Sequence, residues 1–194
     1  FPIIRPRGGD FLYSDEEYEV MQQDILFCRQ SGCEGVVIGM LKPDGEIDAE
    51  RCAKLIALAR PMEVTFHRAF DRCNDLNKAL ETIISLGCER ILTSGGEVTA
   101  LEAIDKLADL VSQASGRISI MPGSGVTESN ISLLAVQTGA VQFHSTAKEM
   151  INSAMLFRAT GRLSGQDGDF PIMQTSAGKV KLMKEALASS LSSI

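Results

Sequence analysis

Gly87-Cys88-Glu89-Arg90-Ile91-Leu92-Thr93-Ser94-Gly95-Gly96 is the stretch on which the fold turns. A glycine able to close a helix is followed by a short charged step, an apolar run ending in threonine, and a polar turn rich in glycine. The joint recurs as Gly32-Cys33-Glu34-Gly35 and as Gly139-Ala140-Val141, which marks a repeated βα unit. Outward from these joints, short apolar runs at 1–5, 35–40, 63–67, 90–93, 118–121 and 141–144 have strand character. Between and after them, 15–31, 48–59, 75–86, 99–115, 127–138 and 179–189 carry helical periodicity. Ser14 or Asp15 and Asp75 stand where N-caps belong, and Gly32, Gly87 and Gly139 stand where helices end.

Strands alternating with helices imply parallel pairing through helical crossovers. An open doubly wound sheet and a (β/α)8 barrel both satisfy that. The first expects a GxGxxG turn after the first strand, whereas here that strand runs into Arg5-Pro6-Arg7-Gly8-Gly9-Asp10. The second expects polar side chains at the carboxyl ends of several strands and glycine loops late in the chain, which is the pattern present. The expected fold is therefore α/β, a TIM-like barrel forming one domain over 1–194. A barrel of roughly 250 residues spends about 31 per unit, so this length suits about six units. The first visible strand then counts as the third, and the barrel is expected to be incomplete at its N-terminus. Upstream sequence, a partner chain or local rearrangement is expected to cover the edges so left.

With 19 Lys and Arg against 25 Asp and Glu, the formal charge is −6, which offers no general attraction to nucleic acid or anionic lipid. No apolar run is long enough for a membrane span, and no signal peptide is evident. Five scattered cysteines without a CxxC pair fit a reducing, cytoplasmic setting.

Candidate chemistry collects at strand ends. His67, Arg68 and Asp71 bring an imidazole, a guanidinium and a carboxylate to one strand mouth, suited to acid–base catalysis and anion capture. A structural ion pair of Arg68 with Asp71 or Asp10 is the plainer alternative. Arg5 and Arg7 with Asp10 could hold a phosphate or carboxylate, or one arginine could seal the barrel. Ser94 and Gly95, together with Gly123, Ser124 and Gly125, could offer backbone N–H groups to an anion. His144 is a pocket-lining donor in this scheme. Metal ligands are sparse: Cys73 alone among the cysteines falls near the site, and Met40 and Met121 at strand ends serve equally as core.

These same segments carry a resemblance. Residues 4–14, Val64-Thr65-Phe66-His67-Arg68-Ala69-Phe70-Asp71, Leu92-Thr93-Ser94-Gly95-Gly96, Met121-Pro122-Gly123-Ser124-Gly125 and Phe143-His144 strongly resemble the cytosolic copper homeostasis protein CutC family. Ser124 replaces a usual third glycine, and Gln142 a common glutamate. The resemblance implies a cytoplasmic, homo-oligomeric TIM-like barrel with a role in copper homeostasis and Cu(I) binding. It also implies that the family's copper-binding cysteines fall in strands upstream of Phe1, so that no cysteine here inherits their role. An enzyme acting on an anionic small molecule is the competing expectation, and in both the ligand is small: a copper ion or an organic anion.

Overall fold

The computed structural model describes residues 1–157 and 171–191. After an N-terminal segment come α1 (Asp15–Gln30), β1 (Gly35–Ile38), α2 (Ala49–Ala59), β2 (Glu63–Phe66), a 3-10 turn (Phe70–Arg72), α3 (Leu76–Leu86), β3 (Arg90–Thr93), α4 (Ile104–Ala114), β4 (Ser119–Pro122), α5 (Ile131–Thr138), β5 (Lys148–Asn152), β6 (Pro171–Thr175) and α6 (Ala177–Leu191).

Strands β1 to β4 form one parallel sheet whose spatial order follows the chain. Ile38 lies opposite Phe66, Phe66 opposite Ile91, and Thr93 opposite Pro122, so all four carboxyl ends share one edge. A doubly wound sheet reverses its strand order at a switch point. An arc of a barrel does not, and neither does this sheet. Each helix from α1 to α6 packs against its successor, as an outer ring requires.

One face of the sheet is apolar and buried, carrying Val36, Ile38, Val64, Phe66, Ile91 and Ile120 in register, while the other carries Val37, Thr65, Arg90, Leu92, Ser119 and Met121. The helices contribute one stripe each, such as Cys52, Leu55, Ile56 and Ala59 of α2, spaced as 3.6 residues per turn demands. Their ends follow local chemistry. Ser14 and Glu17 make a reciprocal capping box at α1, and the Asp75 carboxylate accepts from the Lys78 N–H at α3. Gly87 and Gly139 close α3 and α5 with φ of +79° and +72°.

Two expected strands are not strands. Segment 1–5 joins β1 through two bonds only, Ile4 N–H to the Val37 carbonyl and Val37 N–H to the Pro2 carbonyl, both 2.8 Å. Pro2 has no N–H to extend that ladder. Segment 141–144 lies beside β4, with Ser119 Oγ 3.2 Å from Gln142 Oε1 and His144 N–H donating to the Pro122 carbonyl at 2.9 Å. Pro122 cannot donate on that same side, so no ladder forms. The antiparallel pair β5–β6 was not expected: its Met150–Met173 and Ile151–Ile172 pairs are short and largely exposed, with no covered face to make a period visible. The helix expected over 99–115 begins only at Ile104, after a series of turns. No helix among the described residues is long and apolar enough to cross a membrane.

Candidate functional site

Asp71 is the fixed point at the strand ends. The 3-10 turn after β2 carries it to the end of β3, where its side chain is 5 % exposed. There it accepts from Arg68 Nε at 2.6 Å, from the Thr93 hydroxyl, from the Ser94 N–H at 3.0 Å and from the Gly96 N–H at 3.2 Å. Arg68 Nη2 also donates to Ser94 Oγ at 2.6 Å, and that hydroxyl donates to the Glu97 carbonyl at 2.5 Å. A carboxylate so fully occupied organises its loop and is not free to move a proton. Arg68, Asp71 and Ser94 are thus brought together as a framework, the ion-pair alternative with partners from the next strand added.

The structure separates Arg5 from Arg7. Arg7 donates to Glu17 at 2.6 Å and to the Leu12 carbonyl at 2.7 Å, pairs with Asp10 at 2.9 Å, and lies over the Tyr13 ring. Those contacts raise the Arg7 pKa and lower that of Asp10. Arg7 and Asp10 therefore pin the 5–13 loop to α1. Arg5 instead donates to the Gly9 carbonyl at 2.7 Å and stacks over Phe11, its guanidinium carbon 4.8 Å from the ring centroid. No carboxylate pairs with it among the described residues.

Arg5, Gly9, Phe11, Arg68, Asp71, Arg72, Gly96, Glu97 and Val98 line a cleft of about 570 Å³ at this edge. Arg72 is exposed there, with no ion-pair partner among the described residues. The cleft thus offers two guanidinium groups without an ion-pair partner among the described residues, with the Glu97 carboxylate on its wall.

His67 is 3 % exposed and packs against Phe11, ring centroids 4.9 Å apart. Its Nδ1 accepts from the Ala69 N–H at 3.0 Å, which leaves the proton of the neutral ring on Nε2. Nε2 is buried and has no partner. Burial, with a smaller push from Arg5, lowers the imidazole pKa to about 4. At neutral pH His67 is therefore a donor at Nε2; a general base there would need the other tautomer. Gly39 makes room for it, since a Cβ at that position would stand 2.4 Å from Cε1 and Nδ1 of the ring.

The remaining candidates occupy a second, smaller cleft of about 190 Å³ lined by Ser124, Gly125, His144, Ser145, Lys148 and Lys179, among others. His144 is exposed. Gly123 sits beside it, where a Cβ would come within 2.5 Å of Leu92. Gly95 packs on Ala103 at the start of α4 and lines a third cleft of about 550 Å³ with Glu97, Glu102 and Lys106. Ser124 Oγ donates to the Val98 carbonyl at 2.7 Å, so the 94–99 loop is a shared wall between the first two clefts. The residues expected in one pocket fall in three. Phe11, Tyr13, Arg72 and Lys179 were not singled out from sequence. The first two fall within the 4–14 motif, where their spacing from Arg5 was the available signal.

The five cysteines are free thiols. Burial raises the pKa of Cys52 strongly and pushes Cys73 and Cys88 up to about 12, which disfavours the thiolates that Cu(I) selects. Cys28 and Cys33 are brought together at the C-terminal end of α1, where the Cys33 N–H donates to the Cys28 carbonyl at 3.1 Å. The helix dipole disfavours an anion at that end, and burial raises the Cys28 pKa. No group of three His, Cys, Asp or Glu side chains able to hold a metal occurs among the described residues. These residues do not fit a resident copper centre.

Residues 1–149 match the CutC family. The chain is 46% identical over 187 residues to a CutC family protein of Chromobacterium violaceum, covering 95% of this chain and 76% of that one. It is 45% identical over 186 residues to a copper homeostasis protein cutC homolog of Mus musculus, covering 94% and 68%. Among solved structures, a CutC from Streptococcus agalactiae superposes with a TM-score of 0.71 at 36% identity, over 73% of this chain and 70% of that chain. An aldolase, QR15, superposes at 0.58 with 17% identity, covering 73% and 65%, a likeness of fold alone.

Proposed function

The chain belongs to the CutC family, and on that premise we propose that it serves copper homeostasis by binding a small organic anion in the cleft between Arg5 and Arg72. The observation that carries this is the pair of guanidinium groups without carboxylate partners in one cleft, beside an Asp71–Arg68 framework that is already neutralised. Copper enters as cargo or as the stress answered. Direct Cu(I) binding by this chain is the weaker alternative, because burial raises the pKa of Cys28, Cys52, Cys73 and Cys88 and, among the described residues, only Cys28 and Cys33 are hydrogen-bonded to one another. A cytoplasmic homo-oligomer fits the apolar side chains that β5 and β6 leave exposed, Met150 and Met173 foremost.

Calorimetric titration with acetate and with inorganic phosphate tests the proposal. Saturable heat that disappears in Arg72→Ala supports it. Absence of heat with either anion, together with stoichiometric Cu(I) capture against a chromogenic chelator, overturns it in favour of the alternative.

A further inference from the structure

We infer that Arg5, Tyr13 and His67 form a carboxylate-binding pocket behind Phe11, the seat of the charged end of the organic anion. The inference rests on the cleft being a ligand site and names what its depth recognises.

Among the described residues, three side-chain polar atoms are buried without a hydrogen-bond partner: Arg5 Nε, Tyr13 Oη and His67 Nε2. All three are N–H or O–H donors, and His67 and Tyr13 are more than nine-tenths buried. A buried donor without a partner costs about 1–3 kcal/mol, so scattered orphans are rare in a folded chain and a group of them is rarer. These belong to one neighbourhood. The Arg5 guanidinium stacks on Phe11, and Phe11 packs on His67. Arg5 also acts on both other groups: its charge and its side-chain hydrogen-bonding approach to Tyr13 oppose the rise that burial imposes there, leaving the Tyr13 O–H without an acceptor, and its charge adds to the fall at His67. Arg5 and Phe11 are only partly buried and line the cleft, and on this reading a ligand reaches the donors past their side chains.

The charge count selects the ligand. His67 is neutral, Tyr13 is neutral, Arg68 is matched by Asp71, and Arg7 over the Tyr13 ring is matched by Asp10 and Glu17, which leaves Arg5 as the cation without an ion-pair partner beside the donors. One positive charge with three N–H or O–H donors matches a carboxylate, which brings one negative charge and about four lone-pair sites. A phosphate brings close to two charges at neutral pH and overloads a site with one.

The test uses the full chain labelled with 15N-histidine. Only His67 and His144 contribute signals, and His144→Gln assigns them. Acetate is expected to move the His67 Nε2 resonance saturably, and more tightly than inorganic phosphate does. Tyr13→Phe is expected to weaken acetate about ten- to a hundredfold, the loss of one hydrogen bond to a charged group, while the protein stays folded. Phosphate binding more tightly than acetate, or unchanged acetate affinity in Tyr13→Phe, overturns the carboxylate pocket. So does an immobile His67 resonance in a protein that still binds acetate and loses that binding in Arg72→Ala, a result that leaves the cleft intact. Failure of both anions to bind at all overturns cleft and pocket together.

Discussion

Lowering the pH from 7 to 4 should destabilise this protein through His67, and His67→Asn should remove that part of the loss. The imidazole titrates near 6.5 when unfolded and at about 4 when folded, because burial disfavours its charged form. Between those values the unfolded chain binds a proton that the folded chain does not. A folded-state pKa below the unfolded one makes stability rise with pH, so the contribution is complete above 6.5 and is lost as the pH falls towards 4. A shift of this size at 1.36 kcal/mol per unit corresponds to about 3 kcal/mol across the window. Asparagine keeps an acceptor for the Ala69 N–H but does not titrate. Urea unfolding midpoints for both proteins, measured from pH 8 to pH 4, should therefore converge by about 3 kcal/mol at the acid end. Parallel stability curves for wild type and His67→Asn would show that the folded imidazole titrates as the unfolded one does, and a wild type that gained on the variant as the pH fell would show it protonated when folded and sink the neutral-donor assignment and the charge count built on it.

Tyr13→Phe should raise thermal stability, by about 1 kcal/mol or roughly 2–4 °C, because the hydroxyl it removes has no partner; a lower melting temperature refutes that. Asp71→Asn should cost about 2–3 kcal/mol in chemical denaturation, since an amide presents donors to Arg68 and to the Ser94 and Gly96 N–H groups. Gly39→Ala should cost about 1–3 kcal/mol by overpacking the His67 ring and should shift the His67 NMR signals while sparing those of His144. Met150→Lys with Met173→Lys should lower the sedimentation coefficient of an oligomer that uses β5–β6 and leave that of a monomer unchanged.

Where a fully buried face supplied a short apolar run between helix-like stretches, as in β1 to β4, the elements were legible in the sequence. So were the helix ends marked by Asp75, Gly87 and Gly139, because caps are local chemistry. Segments 1–5 and 141–144 have the composition of strands, but a ladder depends on the neighbour, and Pro2 and Pro122 withhold the donors those ladders need. The β5–β6 pair lacks a buried face, and with it the pattern from which a strand is read. At the site, His67, Arg68 and Asp71 were visible as strand-end residues, while their division of labour was not. Asp71 is occupied by donors from the next strand, and contacts across strands have no signature in spacing.

The two loop arginines show why composition alone could not separate function from framework. Arg5 and Arg7 stand two residues apart, have the same chemistry, and in an extended chain would face the same way. Arg7 meets Glu17, presented by the first turn of α1, and its charge is spent on holding the loop. Arg5 meets Phe11, whose ring gives it a surface to lie on but no counter-charge. The same loop carries Tyr13, and the end of β2 brings His67 up behind Phe11, both with their donors unanswered, an arrangement that weakens the folded state by the desolvation of each. The chain could relieve that cost with small changes, phenylalanine for Tyr13 among them. That it instead keeps three donors, one of them on a cation without an ion-pair partner, is what a site built to be completed by an anion requires, and it is why the orphaned groups, more than the fully bonded Arg68–Asp71 pair they adjoin, locate the function.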